Sequence, residues 1–195
     1  MNKDARLIYP LSEFYEQLGL PLPAVTQVNG WDMPEPYRSL LVHNRDMTPT
    51  LERAHDRSIR LRVLRRALTG DVLTRQVVLI AEGSEVPVAF GAIKIHLEHF
   101  PDAARPLVLE GKQPLGAILR SQGIAHAGRP DVYLQVTPDA LIHNALGLAE
   151  PATLYGRRNA LIDAAGRTLA QVLEILPPNN GKSNTERNRG QSETL

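Results

Sequence analysis

The amino-acid sequence predicts an α+β fold built around one antiparallel sheet. Three observations carry this prediction. Val77–Ile80 is a continuous apolar run, which suits a strand buried on both faces. Val86–Ile95 is a second run rich in β-branched residues, and Glu82-Gly83-Ser84 between the two runs supplies the residues of a tight turn. The two runs therefore predict a central hairpin, and the remaining segments predict more strands than helices.

The composition excludes several classes of protein and of functional site. The chain has 195 residues, of which 43% are hydrophobic and 22% are charged, as in a soluble globular protein. The net charge of +1 provides no general electrostatic attraction for nucleic acid or for an anionic membrane. The lack of cysteine excludes disulfides, thiolate catalysis and cysteine metal sites.

The distribution of apolar residues gives expectations about domains and location. No apolar run approaches the roughly 20 residues of a membrane span, and the N-terminal residues lack the apolar core of a signal peptide. We therefore expect a cytoplasmic protein. The length suits one ordinary domain, which we place over residues 1–178. The polar segment 179–195 is expected to be a disordered tail.

The first third of the chain favours short helices joined by irregular segments. Ser12–Leu18 predicts a helix with its serine as the N-cap and a glycine directly after its end. Two prolines prevent that helix from continuing, and Val25–Pro36 is predicted to be an irregular connection. A further helix is expected where Thr48 can cap the first turn and Pro49 fits the first helical position.

The segments on either side of the central hairpin predict one strand and one short helix. Ser58–Arg66 alternates apolar and basic residues, which is typical of a half-buried strand. Its arginines fit a solvated face, with a nucleic-acid patch as the alternative. Thr69-Gly70-Asp71 then turns the chain into the hairpin. Beyond the hairpin, Pro114–Ser121 predicts a short helix with proline at its start.

The last third predicts three strands and one helix. Val132–Val136 alternates apolar and polar residues as a strand does. Thr137-Pro138-Asp139 favours a helix start, and this helix is expected to end at Gly147. A final hairpin is predicted from two runs that a glycine turn separates, Tyr155–Asp163 and Thr168–Leu176.

Two charged residues stand on otherwise apolar strand faces. Arg75 shares a face with Val77 and Leu79, because side chains two residues apart in a strand point the same way. Glu174 is placed similarly within its own strand. A buried charge needs a partner, and two interpretations are open. One is a structural ion pair between Arg75 and Glu174. The other is a pocket with two poles, in which Arg75 holds an anion and Glu174 holds a hydroxyl or a proton.

Two further features are candidates for an anion site and a metal site. The glycine-flanked loop Lys112–Gly116 feeds a helix N-terminus, where free N–H groups and the helix dipole favour an anion, although most such loops are only turns. His96, Glu98 and His99 are close in sequence, but His99 does not share the strand face of the other two. A polar strand end is the commoner role for such residues, so no metal site is predicted.

Four segments together resemble one enzyme family. Leu40–Arg53, the hairpin from Arg75, Gly111–Gly116 and Leu154–Pro177 occur in the order and character of chorismate pyruvate-lyase. The YGRR segment, followed by a hairpin that ends in glutamate and proline, is the most specific of them. The resemblance implies a chorismate lyase-like fold, with a six-stranded antiparallel sheet and short helices on one face. It also implies conversion of chorismate to 4-hydroxybenzoate and pyruvate without metal or cofactor.

The same resemblance implies which residues bind the ligand. An arginine on the central strand and backbone N–H groups at two flanking segments would hold the ring carboxylate, at Arg75, Met47, Leu115 and Gly116. Glu174 would meet the hydroxyl end of the ligand and assist proton movement. Arg157 or Arg158 is a candidate for the second carboxylate, with an exposed structural role as the alternative for both. The segments around Met47 and after Gly111 correspond to flaps over the ligand. The helix expected at 137–148 is a departure from the family.

The sequence therefore supports one leading function and two alternatives. The leading hypothesis is a cofactor-independent carbon–oxygen lyase that acts on chorismate or a close relative. The first alternative is a non-catalytic sensor of small aromatic acids, because the fold is similar to the effector-binding half of some bacterial transcription regulators. The stretch before Leu40 is short for a winged DNA-binding domain, which disfavours this alternative. The second is a lyase-like enzyme of specialised metabolism acting on another cyclic acid. In each case we expect a small aromatic or cyclic carboxylic acid as partner, no nucleic acid or membrane, and a monomer or weak dimer.

Overall fold

A seven-stranded antiparallel sheet organises the part of the chain that the computed structural model describes, residues 2–178. The order across the sheet is β1-β5-β6-β7-β4-β3-β2. The strands are β1 (Ala24–Val28), β2 (Ile59–Thr69), β3 (Val72–Ala81), β4 (Pro87–His96), β5 (His126–Thr137), β6 (Leu154–Asp163) and β7 (Thr168–Leu176). The α+β class and the single antiparallel sheet are confirmed, with one strand more than the resemblance implies.

Short helices cover both faces of this sheet. They are α1 (Lys3–Leu7), α2 (Leu11–Leu18), α3 (Tyr37–Leu41), α4 (Met47–His55), α5 (Arg105–Glu110), α6 (Leu115–Ser121) and α7 (Ala140–Leu146). Helices α1, α2 and α7 pack on one face, and α3 to α6 pack on the other. The expectation of helices on one face was therefore wrong. The physical reason is that the central strands are apolar on both sides: in β3, Val78 contacts the first layer and Leu79 the second.

The central hairpin and the final hairpin form as predicted. β3 pairs with β4 so that Val78 lies opposite Phe90, and the turn between the strands includes the predicted glycine, Gly83, at φ +74°. β6 pairs with β7, and β7 also pairs with β4. The two hairpins thereby share one sheet, which places the strands of Arg75 and Glu174 on either side of β4.

The strand β1 is the main element that the sequence did not predict. It lies within the segment expected to be an irregular connection, at one edge of the sheet, and pairs only with β5. Its residues are exposed or half-buried. Because no buried face imposes an alternating pattern, the sequence carries no strand signal there. Backbone pairing with β5 makes it a strand.

Several helix ends differ from the prediction by one or two residues. α4 begins at Met47 with Asp46 in the N-cap position, so Thr48 and Pro49 lie inside its first turn. α2 begins at Leu11, and Ser12 is buried within it and is not its cap. α5 was not predicted. The helix α7 agrees with the prediction, because the side chain of Asp139 accepts a hydrogen bond from the Ile142 N–H at its start.

Two further expectations concern membrane spans and the C-terminal segment. None of the helices in residues 2–178 combines the length and the apolar character needed to cross a membrane. The segment 179–195, expected to be a disordered tail, lies outside the described residues.

Candidate ligand-binding site

A mostly apolar cavity of about 90 Å³ lies between the sheet and the helices α4 and α6. Its floor comes from β2, β3, β4, β6 and β7, and its cover from the first turns of the two helices. Five of the seven residues that the sequence suggested for ligand binding line it: Arg75, Met47, Leu115, Gly116 and Glu174. The structure thus brings together residues that are far apart in the chain. Their role in binding stays a prediction.

The centre of the cavity floor requires a glycine. Gly91 of β4 lies directly between Val77 of β3 and Glu174 of β7. A Cβ at this position would meet the carbonyl oxygen of Leu173 at 1.9 Å, a distance that no real side chain tolerates. Glycine is therefore required for β4 to pair closely with β7. Gly91 itself lines the cavity.

Arg75 supplies a buried positive charge that no salt bridge within the described residues neutralises. The residue is 2% exposed and forms no salt bridge within residues 2–178. Its Nη1 donates one long hydrogen bond, 3.4 Å, to the Val108 carbonyl, and its Nε is buried without a partner. Burial, and next the neighbouring positive charge of Arg66, lower the pKa of Arg75 to about 10. A guanidinium in this state is poised to bind an anion.

The ion pair considered between Arg75 and Glu174 does not form, so that interpretation was wrong. The partner of Glu174 is Arg157, whose Nε lies 2.7 Å from the carboxylate Oε2. Strand order explains the choice. Arg157 lies directly opposite Glu174 on the neighbouring strand β6, whereas β4 separates Glu174 from the strand of Arg75. Arg75 and Glu174 share a face of the sheet and the same cavity, and they remain two separate poles.

All three guanidinium nitrogens of Arg157 have hydrogen-bond partners in the protein. Its side chain is 0% exposed. Besides the Glu174 contact, Nη1 donates to the carbonyls of Leu41 at 3.2 Å and His43 at 2.7 Å, and Nη2 donates to the carbonyl of Arg45 at 3.2 Å. Arg157 therefore fastens the loop between α3 and α4 to the sheet and does not line the cavity.

Arg158 lies on the other side of the sheet from the cavity. Neighbouring residues in a strand point to opposite faces, so Arg158 turns away from the side of Arg157. Its Nη2 lies 2.6 Å from Asp131 Oδ2, and its Nη1 donates to the carbonyl of Arg6. Neither of the two arginines suggested for a second ligand carboxylate is thus available in the cavity.

His43 completes the network around Arg157. Its Nδ1 accepts hydrogen bonds from Arg157 Nη1 and from the Arg45 N–H, each at 3.2 Å, and its Nε2 donates to the Leu40 carbonyl at 2.8 Å. A proton on Nδ1 would face the guanidinium. Burial, and next the charge of Arg157, lower the pKa of His43 from 6.5 to about 4.

The low pKa of His43 predicts a loss of stability in mild acid. Below about pH 6.5 the unfolded chain takes up a proton at this residue, whereas the folded protein does so only near pH 4. The free energy of unfolding should therefore fall as the pH is lowered through this window. We expect the His43→Gln variant, which keeps a donor and an acceptor, to lose that part of the pH dependence. Urea unfolding of both proteins between pH 7 and pH 4 measures it, and identical slopes would contradict the assignment.

Asp46, which the sequence analysis did not identify, holds the two covering helices α4 and α6 against the sheet. Asp46 precedes α4, lines the cavity and is 17% exposed. Its carboxylate lies 3.0 Å from His126 Nε2 at the start of β5 and 3.5 Å from Arg120 Nη1 of α6. Gly116 also packs against it, because a Cβ there would come within 3.3 Å of Asp46 Oδ2. One carboxylate thus connects both covering helices and the sheet.

The covering helices present their N-termini at the cavity. α4 begins at Met47 and α6 begins at Leu115, and neither has a hydrogen bond from a capping side chain. Backbone N–H groups in a first turn lack intrahelical acceptors, and the helix dipole favours negative charge there. Together with Arg75, these ends give the cavity an anion-attracting character. The sequence analysis had identified this combination from the resemblance.

A second residue that the sequence analysis missed is Asn159 of β6. It is 3% exposed and lines the cavity. Its position was visible in the sequence, because it follows Arg157 by two residues and therefore lies on the same strand face. Its residue type gave no signal, since asparagine in a strand has no single role.

Comparison with known proteins identifies the fold. No protein-family model and no curated protein matches the chain. The solved structure of PhnF from Mycobacterium smegmatis is 19% identical, with 73% of this chain and 68% of that chain covered and a TM-score of 0.54. The effector domain of the same protein is 18% identical over 71% of this chain and 92% of that one, also with a TM-score of 0.54. A possible transcriptional regulator, YydK from Bacillus subtilis, is 9% identical over 94% and 98% of the two chains, with a TM-score of 0.51.

These similarities establish architecture and no more. The effector domains share the chorismate lyase-like fold, so the fold that the sequence resemblance implied is confirmed. At identities below 20% the likeness does not extend to function.

Proposed function

We propose that this protein binds a small aromatic or cyclic monocarboxylic acid in the cavity and acts as a non-catalytic sensor. The observation that carries the proposal is the buried, unneutralised guanidinium of Arg75 inside a mostly apolar cavity. A ligand carboxylate would supply the missing countercharge through the two-pronged contact that a guanidinium favours. The apolar walls suit a ring, and the carboxylate of Glu174 suits a hydroxyl at the other end.

The balance of charges favours a ligand with one carboxylate. Chorismate carries two, and a lyase must hold both in a dry site. Among the described residues that line the cavity, Arg75 is the one cationic side chain, whereas Glu174 and Asp46 are acidic. A second ligand carboxylate would therefore approach acidic groups that already have their own partners, at an electrostatic cost.

The structural comparisons support the same choice. Two of the similar structures are the effector domain of PhnF and a possible transcriptional regulator, YydK. An effector domain binds a small molecule, so the fold is compatible with binding alone. This reverses the order that the sequence favoured, in which the lyase was the leading hypothesis.

A lyase that acts on chorismate remains the second candidate because Glu174 lines the cavity that Arg75 enters. Arg157 occupies Oε2, and Oε1 makes no hydrogen bond within the described residues. In a lyase, Oε1 would accept the ring proton as the bond between the ring carbon and the ether oxygen breaks and the ring becomes aromatic. The released enolpyruvate would then take up a proton to give pyruvate. In a sensor, the same oxygen would accept a hydrogen bond from the ligand hydroxyl.

The size of the cavity implies that its cover moves when a ligand enters. A dry protein cavity of about 150 Å³ accommodates benzene, and the volume here is about 90 Å³. A ring with a carboxylate therefore needs α4 and α6 to shift outward. Such a shift would move Asp46, whose carboxylate contacts His126 of β5 and Arg120 of α6.

Incubation with two compounds tests the proposal. Calorimetric titration with 4-hydroxybenzoate should show one binding site per chain. Incubation with chorismate, followed by assays for pyruvate and for hydroxybenzoate isomers, should show no turnover above the uncatalysed rate. Release of pyruvate that is lost in Glu174→Gln would establish the lyase instead. A chain that binds neither compound would contradict both candidates.

A further inference from the structure

Asn159 is a buried residue whose side-chain oxygen has no partner within residues 2–178. The residue is 3% exposed, and its Oδ1 is buried there without a hydrogen bond. Buried polar groups in folded proteins are almost always paired, so an unpaired one requires an explanation. A structural role does not supply it, because an apolar side chain of the same size would fill this position at lower cost.

The amide lies at the pole of the cavity opposite to Arg75. Asn159 pairs directly with Val172, which pairs with Ile93, which pairs with Arg75. These three strand spacings separate the Cα atoms of Asn159 and Arg75 by about 14 Å. Glu174 is the diagonal neighbour of Asn159 on β7, at a Cα distance of about 7–8 Å. A ligand anchored at Arg75 therefore meets the carboxylate and the amide side by side.

We propose that Asn159 determines specificity by binding a second hydroxyl next to the one that meets Glu174. The ligand class is then a cyclic carboxylic acid with two neighbouring hydroxyls, of the catechol type. This inference rests on the proposed function, since it concerns the same cavity and the same anchoring carboxylate.

Hydroxyl chemistry fits this pole better than a second carboxylate does, because the unpaired Oδ1 of Asn159 and the carboxylate of Glu174 are both acceptors. An amide offers one acceptor and two donors, whichever way it is turned. One hydroxyl of a neighbouring pair can donate to the unpaired Oδ1 of Asn159 while the other donates to the Glu174 carboxylate. A second carboxylate would be repelled by Glu174.

A comparison of two ligands on two proteins tests the inference. The probes are 4-hydroxybenzoate and 3,4-dihydroxybenzoate, titrated calorimetrically into the wild type and Asn159→Leu. The wild type should bind the dihydroxy acid about tenfold more tightly, as expected for one added hydrogen bond in a buried site. Asn159→Leu should bind both acids with nearly the affinity of the wild type for 4-hydroxybenzoate. Its apo form should unfold at the same or a higher temperature, because an unpaired polar group has been removed.

The outcomes separate this inference from the function on which it rests. If the wild type binds neither acid, the proposed function fails. If it binds both equally, or if the tenfold preference persists in Asn159→Leu, the function stands and the role of Asn159 is overturned. Should Asn159→Leu not fold, Asn159→Ala removes the amide without adding volume, and the same two titrations decide.

Discussion

Replacing Arg75 with leucine is expected to abolish the binding of 4-hydroxybenzoate. The guanidinium is the one cationic side chain among the described residues that line the cavity, and it forms no salt bridge with any residue from 2 to 178. Loss of one partner of a buried charge pair weakens binding by about 30-fold or more, most of it in the dissociation rate. Arg75→Lys should also bind poorly, because an ammonium cannot reproduce a bidentate contact. Calorimetric titration measures both effects.

The same substitution should make the protein without ligand more stable. Most changes at a fully buried residue are destabilising, but Arg75→Leu removes a desolvated charge for which the fold provides little compensation. The matched control is Arg66→Leu, which removes an equal charge directly across on β2. Arg66 is exposed and does not line the cavity, so this control should retain binding. Unchanged affinity in Arg75→Leu would refute the anion site.

The parts of the site that the sequence predicted depend on local rules. The period of two along a strand places Arg75 on one face with Val77 and Leu79, whatever the sheet order. Proline at the start of a helix located the segment that begins at Leu115. The resemblance to a known family then predicted that these elements lie around one ligand, because the family has a known arrangement in space. A set of residues from four separate segments was thereby found in one cavity.

The parts that the sequence did not predict depend on which strands are neighbours. Both Arg75 and Arg157 lie on the face of Glu174, and their own segments do not indicate which one pairs with it. Only the order β6-β7-β4-β3 decides, by placing Arg157 next to Glu174 and Arg75 beyond β4. The edge strand β1 was missed for a related reason, since its backbone pairs with β5 while its side chains remain largely unburied. Contacts of this kind are non-local, and a one-dimensional pattern does not encode them.

We expect the hydrogen bonds of Arg157 to contribute more to the free energy of unfolding than the residues that only line the cavity do. This one side chain neutralises Glu174 and donates to three backbone carbonyls, one at the end of α3 and two in the loop between α3 and α4. That loop leads directly into Asp46 and the covering helix α4. Arg157 thus couples the acidic pole of the cavity to the segment that closes it, and it does so in a fully buried environment.

Arg157→Leu is therefore expected to lower the free energy of unfolding by about 3–5 kcal/mol, the range for breaking one partner out of a buried ion pair. The loss arises because Glu174 keeps a partly buried charge without its cation and the loop carbonyls lose their donor. Arg158→Leu is the matched control, since it changes the neighbouring residue of the same strand and breaks the more exposed pair with Asp131. Exposed pairs contribute about 0–1 kcal/mol, so this control should unfold almost as the wild type does. Urea denaturation of the three proteins at pH 7 measures the difference, and equal effects of the two substitutions would show that Arg157 does not hold the loop.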